Sequence, residues 1–212
     1  MIDYGVLILA GGEATRLPGK LELDTGGVPM IARVARNFTP KPGEPLREIV
    51  LSCKATFPDA IDALLPFPAV VDRWPKRGPL GGMLTCFPRF RSRFVFVVAG
   101  DAPDLDSAFA DDLAAQWQAG DDAVVPVHDD RGETLFEPLA SLYDAAAFVR
   151  AGLLMMRSGH GSIRRVLDHL RIRQIARDES AFSNINTLTE YHGIRSYAHI
   201  ESSIGGHTSA EG

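Results

Sequence analysis

Short apolar runs alternate with amphipathic segments along the first 125 residues of the chain. The continuous apolar runs at residues 5–10 and 94–99 are typical of strands that are buried on both faces of a parallel sheet. Apolar residues at three- and four-residue spacing predict an amphipathic helix over residues 30–38. The same reasoning predicts further strands at residues 48–52, 69–71 and 123–127, and further helices at 59–65, 80–91 and 107–119. The alternation favours an α/β fold, a Rossmann-like three-layer, doubly wound and mostly parallel sheet.

The second half of the chain has a less regular pattern. It predicts strands at residues 139–143 and 171–175, and helices at 144–154, 162–170 and 187–197. We expect a single domain over residues 1–200, because the length fits one domain and no repeat or low-complexity tract divides it. Residues 201–212 are small and polar, which predicts a disordered tail.

Composition and charge narrow the classes of function. The 22 basic and 27 acidic residues give a formal net charge of −5. This charge argues against a protein that binds nucleic acid through a general positive field. We predict no membrane association and a cytoplasmic location, because no apolar run reaches about 18 residues and the first residues lack the basic start of a signal peptide. Cys53 and Cys86 lie far apart with no histidine cluster nearby, so we expect neither a disulfide framework nor a structural zinc site.

The loop after the first predicted strand carries glycine and fixed positive charge. Ligands of doubly wound sheets bind beyond the carboxyl ends of the strands, so this loop is a candidate site. Gly11 and Gly12 allow close approach of the backbone to a ligand, and Arg16 and Lys20 suit a polyphosphate. The alternative is a plain turn with solvated basic residues. The glycine spacing matches neither the P-loop nor the dinucleotide fingerprint, which argues against a dinucleotide-dependent oxidoreductase.

The second candidate loop spans residues 72–83. It holds Asp72, three basic residues and three glycines around a predicted helix start, which suits the close approach of a base or a sugar. An ordinary solvated loop with a Gly-Pro turn is the alternative.

The third candidate loop follows the most apolar strand and begins with Gly100 and Asp101. Mg²⁺ usually takes one or two protein carboxylates and otherwise water and phosphate oxygens, so Asp101 is a candidate magnesium ligand. Its alternative role is to cap the next turn.

Polar residues late in the chain are weaker candidates. Asn184 and Asn186 would point the same way in an extended segment and could offer amide oxygens to a metal or its waters, with turn chemistry before a helix as the alternative. The arginine-rich stretch at residues 157–173 is expected to form a solvated face, with contact to an anionic second substrate as its alternative.

Taken in order along residues 5–191, four motifs resemble those of the MobA-type nucleotidyltransferases, the molybdenum cofactor guanylyltransferases and their cytidylyltransferase relatives. The motifs are LAGG at 9–12 followed by Arg16 and Lys20, Asp72 with GPLGGM at 78–83, GDAP at 100–103, and EPLASLY at 137–143 with NINT at 184–187. The resemblance implies the nucleotide-diphospho-sugar transferase type of fold. It also implies Mg²⁺-dependent transfer of a nucleoside monophosphate from GTP or CTP to a phosphorylated acceptor, most naturally molybdopterin, with release of pyrophosphate.

The resemblance also implies roles for individual residues. The implied nucleotide-binding residues are Leu9, Ala10, Gly11, Gly12, Lys20, Asp72, Gly78 and Asp101. The implied catalytic residues are Arg16, Lys20 and Asp101, the implied metal ligand is Asp101, and the implied acceptor-side residues are Asn184 and Asn186. An acceptor phosphate is already an anion, so the chemistry needs charge neutralisation and alignment rather than a strong base.

Two departures from the family pattern keep rival functions open. The first loop reads RLPGK, one residue shorter than is usual in the family, and ATRLPGK resembles CMP-sugar synthetases. Cys53 stands near the place where guanylyltransferases often carry asparagine. The rivals are a transferase acting on a sugar phosphate or sugar acid and a non-catalytic nucleotide-binding protein, the latter disfavoured by Lys20 and Asp101. The resemblance also leaves open a partner protein that takes over the finished cofactor.

Overall fold

Four parallel strands and an antiparallel extension build the central sheet. The computed structural model describes residues 2–10 and 20–182 except 26, 45, 56, 58, 66, 68 and 160, and it does not describe the side chains of Lys20 and Ala60. Within these residues the strands are β1 (Tyr4–Leu9), β2 (Ile49–Cys53), β3 (Ala69–Val71), β4 (Phe94–Ala99), β5 (Ala123–Asp130), β6 (Glu133–Phe136), β7 (Ala140–Asp144) and β8 (Ile172–Ala176). They form one sheet in the order β3-β2-β1-β4-β7-β5-β6, with β8 pairing with β5.

The α-helices of the described residues follow the predicted alternation. They are α1 (Met30–Phe38), α2 (Asp59–Asp62), α3 (Gly78–Cys86), α4 (Ser107–Ala115), α5 (Ala145–Arg157) and α6 (Ile163–Leu167). Short 3₁₀ helices lie at Lys20–Glu22, Pro75–Arg77, Phe87–Arg89 and Glu179–Phe182. In this described part of the chain, no helix is both long and apolar enough to cross a membrane.

The direction of the strands decides which loops share an edge. β1 pairs in parallel with β2 and β4, and β2 pairs in parallel with β3. β7 runs antiparallel to both β4 and β5, so β5 runs in the same direction as β4. The sequence prediction of a mostly parallel, doubly wound sheet is confirmed, and among the described strands β6 and β7 run antiparallel to the others.

The two faces of the sheet carry separate apolar clusters. Alternate residues of β1 serve each of them, because successive side chains of a strand point to opposite faces. Val6 and Ile8 join α1 and α4 on one face, whereas Leu7 and Leu9 join α3, α5 and α6 on the other. Both faces are therefore covered by helices, which gives the three layers that the pattern predicts.

Strand β6 is absent from the sequence prediction. Three of its four residues are exposed and the fourth is partly buried, so it carries no apolar run. Arg131 and Gly132 connect it to β5 with positive φ angles of 55° and 90°. A solvent-facing hairpin strand of this kind leaves little hydrophobic signal in a sequence.

The ends of several helices also differ from their predicted positions. α4 ends at Ala115, and its N-cap is Asp106, whose side chain accepts a hydrogen bond from the Phe109 N–H. α3 begins at Gly78 and passes into a 3₁₀ helix at Phe87, next to Pro88, so the helix predicted over 80–91 is shorter and starts earlier. The predicted helix at 187–197 and the predicted tail at 201–212 lie outside the described residues.

Candidate functional site

The carboxyl ends of β1, β2, β3 and β4 meet at one edge of the sheet. The register aligns Leu9 with both Ser52 and Ala99, and the next strand pair aligns Cys53 with Val71. The residues that follow these strands, including Ala10, Asp72 and Asp101, therefore leave the sheet side by side. Strand order reverses at β1, since β2 and β4 lie on its two sides, and such a switch point is where doubly wound sheets bind ligands.

Asp101 follows β4 at this edge in a tightly packed turn. The N–H of Gly100 donates a 3.0 Å hydrogen bond to the carbonyl oxygen of Leu9. A Cβ atom at Gly100 would lie 3.0 Å from Ile31 Cδ1 and 3.1 Å from that same carbonyl oxygen. The backbone that precedes Asp101 is therefore fixed against β1. Asp101 itself is partly exposed.

Asn37 holds the loop that follows Asp101. Its Nδ2 group at the end of α1 donates hydrogen bonds of 2.7 Å to the Pro103 carbonyl and 3.0 Å to the Leu105 carbonyl. Sequence analysis missed this residue. Its only sequence signal is a polar side chain in the last turn of an amphipathic helix, which does not identify its partners.

Asp72 lies buried at the end of β3, on the opposite side of β1 from Asp101. Its Oδ1 atom accepts a 2.7 Å hydrogen bond from the Ser52 hydroxyl, and its N–H donates to the Cys53 carbonyl at 2.9 Å. Burial raises the pKa of Asp72, whereas the Ser52 hydrogen bond and the nearby charge of Lys54 lower it. A carboxylate that is held by one hydrogen bond still has acceptor capacity for a ligand.

The glycines of the GPLGGM motif bring α3 close to this pair. Gly78 opens α3 with a φ of +56°, in the left-handed region that side-chain-bearing residues avoid. A Cβ atom at Gly82 would lie 2.5 Å from Ser52 Oγ and 3.2 Å from Asp72 Oδ1. The loop is also held by Thr85, whose hydroxyl donates to the Gly81 carbonyl and accepts from the Arg73 N–H at 3.0 Å. Sequence analysis did not single out Thr85 or Ser52.

The structure places only part of the predicted site. It brings Leu9, Ala10, Asp72 and Asp101 to one edge, with Gly78 at the start of the helix that covers Asp72. Lys20 begins the first 3₁₀ helix, but its side chain is not described. The remaining predicted residues lie outside the described part of the chain, namely Gly11, Gly12, Arg16, Asn184 and Asn186.

Comparison with known proteins identifies the family of the chain. Residues 6–177 match the family model described as the MobA-like NTP transferase domain. The chain belongs to this family. It is therefore a nucleotidyltransferase, as the resemblance of its motifs implies.

Curated relatives within the family carry the name molybdenum cofactor guanylyltransferase. The probable enzyme of that name from Natronomonas pharaonis is 28% identical over 201 residues, which cover 92% of this chain and 91% of the relative. The one from Ralstonia nicotianae is 27% identical over 200 residues, which cover 89% of this chain and 94% of the relative.

Solved structures share the fold of this MobA-like domain. Molybdopterin-guanine dinucleotide biosynthesis protein A from Archaeoglobus fulgidus is similar with a TM-score of 0.75 and 21% identity, over 92% of this chain and 99% of that one. A CMP:2-keto-3-deoxy-manno-octonic acid synthetase in complex with CTP has a TM-score of 0.67 and 15% identity, over 94% of this chain and 99% of that one. At these identities the likeness shows the fold alone.

The side chains at the carboxyl ends of β1 to β4 are compatible with the Mg²⁺ that is expected for such a transferase. In the described residues, no group of three or more His, Cys, Asp or Glu side chains is placed to hold a metal ion. Mg²⁺ is usually held by one or two carboxylates together with water and substrate phosphates, so the Asp101 carboxylate suits an ion that arrives with a triphosphate.

The EPLASLY segment of the MobA-like domain is held against β4. The carbonyl oxygen of Leu139 accepts a 3.2 Å hydrogen bond from the Ala99 N–H. The Tyr143 hydroxyl donates to the Pro138 carbonyl at 2.8 Å, and the Ser141 hydroxyl donates to the Glu137 carbonyl at 2.5 Å. The Ser141 and Tyr143 hydroxyls therefore hold the backbone of their own motif. The carboxylate of Glu137 takes no part in these hydrogen bonds.

Two of the late arginines do not belong to the site edge. Arg171 pairs with Asp122 at 3.0 Å and Arg173 pairs with Asp121 at 2.7 Å. Both aspartates precede β5, whose amino end lies at the opposite edge of the sheet from Asp101. For these two arginines, the alternative of an anionic second substrate is not supported.

Proposed function

We propose that this chain transfers a nucleoside monophosphate from a nucleoside triphosphate, GTP before CTP, to the phosphate of molybdopterin, with Mg²⁺ and release of pyrophosphate. The observation that carries the proposal is the placement of Asp72 and Asp101 on the two sides of β1 at one sheet edge. The names of the curated relatives favour guanine as the base and molybdopterin as the acceptor.

The nucleotide would lie over the carboxyl end of β1. The backbone of Leu9 and Ala10 would contact the base and ribose, together with the two glycines that follow. Asp72 would accept a hydrogen bond from the base or the ribose, because its carboxylate has acceptor capacity beyond the Ser52 bond. The nine-residue helix α3 begins at this edge with no acidic residue in its first turn, which favours a negatively charged ligand there.

The transfer itself would depend on managing charge. The acceptor phosphate attacks the α-phosphorus in line, and negative charge grows on the departing pyrophosphate. Asp101 would hold Mg²⁺, and Lys20 and Arg16 would contact the phosphates. When bound, the metal supplies charge neutralisation and alignment of the triphosphate. No side chain has to remove a proton from the nucleophile, since a phosphate oxygen is already anionic.

The test is a pyrophosphate-release assay with Mg²⁺, molybdopterin freed anaerobically from a molybdoenzyme, and GTP, CTP, ATP or UTP in separate wells. We expect release with GTP, and none when the acceptor is omitted. If no pyrophosphate is released in any of the four wells while a thermal-shift assay still shows nucleotide binding, the proposal is contradicted.

A sugar-type acceptor is the second candidate function. The ATRLPGK stretch at residues 14–20 favours it, because this wording resembles CMP-sugar synthetases. A parallel well with CTP and a 3-deoxy sugar acid tests it. Release in this well and not with molybdopterin would replace the first proposal by the second.

A further inference from the structure

A second polar pair lies on the far side of β4 from Asp72. His128 is near the end of β5, and Glu137 precedes β7. His128 is buried, with 9% of its surface exposed, and its Nδ1 atom has no hydrogen-bond partner among the described residues. That nitrogen lies 3.5 Å from Glu137 Oε1, which is close for an ion pair and long for a hydrogen bond.

The pair belongs to the same edge as Asp101. β5 runs in the direction of β4, so its carboxyl end reaches the edge where β4 ends. The Leu139 carbonyl, two residues after Glu137, accepts a hydrogen bond from Ala99, two residues before Asp101. The N–H of Glu137 in turn donates to the Pro126 carbonyl at 2.9 Å, which fixes Glu137 beside β5.

An aromatic contact joins the pair to the last described residues. The Phe182 ring stacks on His128 with centroids 5.7 Å apart and an interplanar angle of 26°. Phe182 also meets the ring of Phe109 edge-on at 6.0 Å, which ties it to α4. The described part of the chain therefore ends beside His128.

Glu137 is half-buried, and in the described residues its one charged contact is the 3.5 Å approach to His128. Its side chain is 25% exposed, and among the described residues no hydrogen bond to its carboxylate is found. Burial raises the pKa of Glu137, and the neighbouring His128 opposes this change. The carboxylate therefore keeps acceptor capacity for a ligand, next to a buried His128 nitrogen that has no hydrogen-bond partner among the described residues.

The chemistry of a carboxylate defines those matching donors. Its two oxygens accept two parallel N–H groups, as they do from guanidinium. The 2-amino-4-oxo edge of a pterin presents such a pair, the ring N–H and the exocyclic amino group. The corresponding edge of a lumazine carries a carbonyl oxygen in place of the amino group, and that oxygen would repel the carboxylate.

We propose that Glu137, supported by His128, is a specificity-determining residue that accepts hydrogen bonds from the 2-amino-4-oxo edge of a pterin-type acceptor. This inference rests on the proposed function, because it assigns that acceptor to the β4–β7–β5 half of the edge. The nucleotide would occupy the other half, over β1, β2 and β3.

The test compares two fluorescent probes, pterin-6-carboxylate and lumazine-6-carboxylate, titrated into the protein with GTP and Mg²⁺ present. We expect the wild type to bind the pterin about 10- to 100-fold more tightly, as for hydrogen bonds to a charged group. Glu137→Gln should lose most of this preference. Glu133→Gln is the matched control, because Glu133 is exposed on β6 and should keep the preference.

Further variants separate recognition from folding. His128→Phe keeps a ring against Phe182 but removes the nitrogen near Glu137, so it should weaken pterin binding several-fold. In the pyrophosphate assay, Glu137→Gln should raise the KM for molybdopterin and leave the KM for GTP within about twofold. Glu137→Asp keeps the negative charge on a shorter side chain, so it should retain part of the preference for pterin. This variant provides the test if Glu137→Gln does not fold.

The outcomes distinguish this inference from the proposed function. Equal binding of the two probes by the wild type, or an unchanged preference in Glu137→Gln, would overturn the inference even if GTP and molybdopterin give pyrophosphate. A clear preference for pterin that Glu137→Gln abolishes would support it even if molybdopterin gives no turnover, in which case the proposed reaction alone would fail.

Discussion

The hydroxyl of Ser52 donates a 2.7 Å hydrogen bond to Asp72 Oδ1, and this bond joins the ends of β2 and β3 beneath α3. The two side chains come from residues 20 positions apart, and both are buried. A Cβ atom at Gly82 would lie 2.5 Å from the same hydroxyl. The position of the Ser52–Asp72 pair therefore depends on the absence of a side chain at Gly82 on α3.

Gly82→Ala tests that dependence. The added methyl group would displace Ser52 and, through it, Asp72, since contacts of 2.5 Å and 3.2 Å leave no room. We expect a loss of about 1–3 kcal/mol in the free energy of unfolding, as for other overpacked cores. The KM for the nucleoside triphosphate should rise as well. Urea denaturation and steady-state kinetics measure the two effects.

Gly161→Ala is the matched control, because the nearest atom to its added Cβ is 3.8 Å away. Its stability and KM should stay close to those of the wild type. Equal behaviour of the two variants would show that the close approach of α3 to Ser52 is not important.

Asp72→Asn should change how stability depends on pH. Burial raises the pKa of Asp72 above that of the unfolded chain, which is about 3.9 for aspartate. The folded state therefore favours the protonated form, and wild-type stability falls as pH rises through the raised pKa. Asparagine cannot ionise, so the variant should gain stability relative to the wild type between pH 3 and pH 7.

Denaturation of both proteins at the two pH values measures this difference, and the other carboxyl groups cancel in the comparison. Nucleotide affinity should fall in the same variant, because Asp72 would lose its charge in the site. A difference in stability that is constant across pH would contradict the raised pKa.

The parts of the fold that bury apolar residues on both faces were predictable from sequence. β1 and β4 are such strands, and their buried runs match the predicted ones to within a residue. β6 was missed because its side chains face solvent, and a strand of that kind is defined by pairing with β5 rather than by its own composition. α4 begins at Ser107 as predicted but ends at Ala115, and α3 begins two residues before its predicted start, because local propensity locates such ends less well.

The site was predictable where a general rule about parallel sheets applies. Asp72 and Asp101 directly follow strands, and the carboxyl ends of parallel strands share an edge. Asn37 and Thr85 were not predictable in this way. Asn37 acts on Pro103, 66 residues away, and Thr85 acts on Arg73 across a helix turn and a loop, so their roles exist only in the folded chain.

Asn37→Asp should weaken the loop after Asp101. The variant keeps the size of the side chain but loses the N–H donors that reach the Pro103 and Leu105 carbonyls. We expect a loss of about 1–3 kcal/mol in the free energy of unfolding, because two carbonyls lose their partner. The Mg²⁺ concentration for half-maximal rate should rise, since the backbone around Asp101 is less restrained. A change in stability without any change in Mg²⁺ dependence would contradict the link to Asp101.

Asp144→Ala should affect stability alone. Asp144 caps α5 by accepting from the Ala147 N–H at 2.9 Å, and it accepts from Arg93 Nε at 2.8 Å. Loss of a cap of this kind costs about 0.5–2 kcal/mol. The residue lies at the carboxyl end of β7, which is the edge opposite to Asp101, so turnover per folded molecule should be unchanged. A fall in kcat at full folding would mean that the two edges are coupled.

Asp101→Asn addresses the chemistry directly. The amide keeps the shape of the side chain but removes the negative charge that would hold Mg²⁺ at the end of β4. If the stabilisation of developing phosphate charge resembles that of other oxyanion sites, kcat should fall by about 10²–10³-fold. Additional Mg²⁺ should restore part of the lost rate, and nucleotide binding without metal should be little affected. Pyrophosphate release across a Mg²⁺ titration measures this, with thermal unfolding to confirm the fold. Full turnover by a folded Asp101→Asn protein would remove Asp101 from the catalytic role, and the charge of the triphosphate would then have to be met by Lys20 and Arg16 alone.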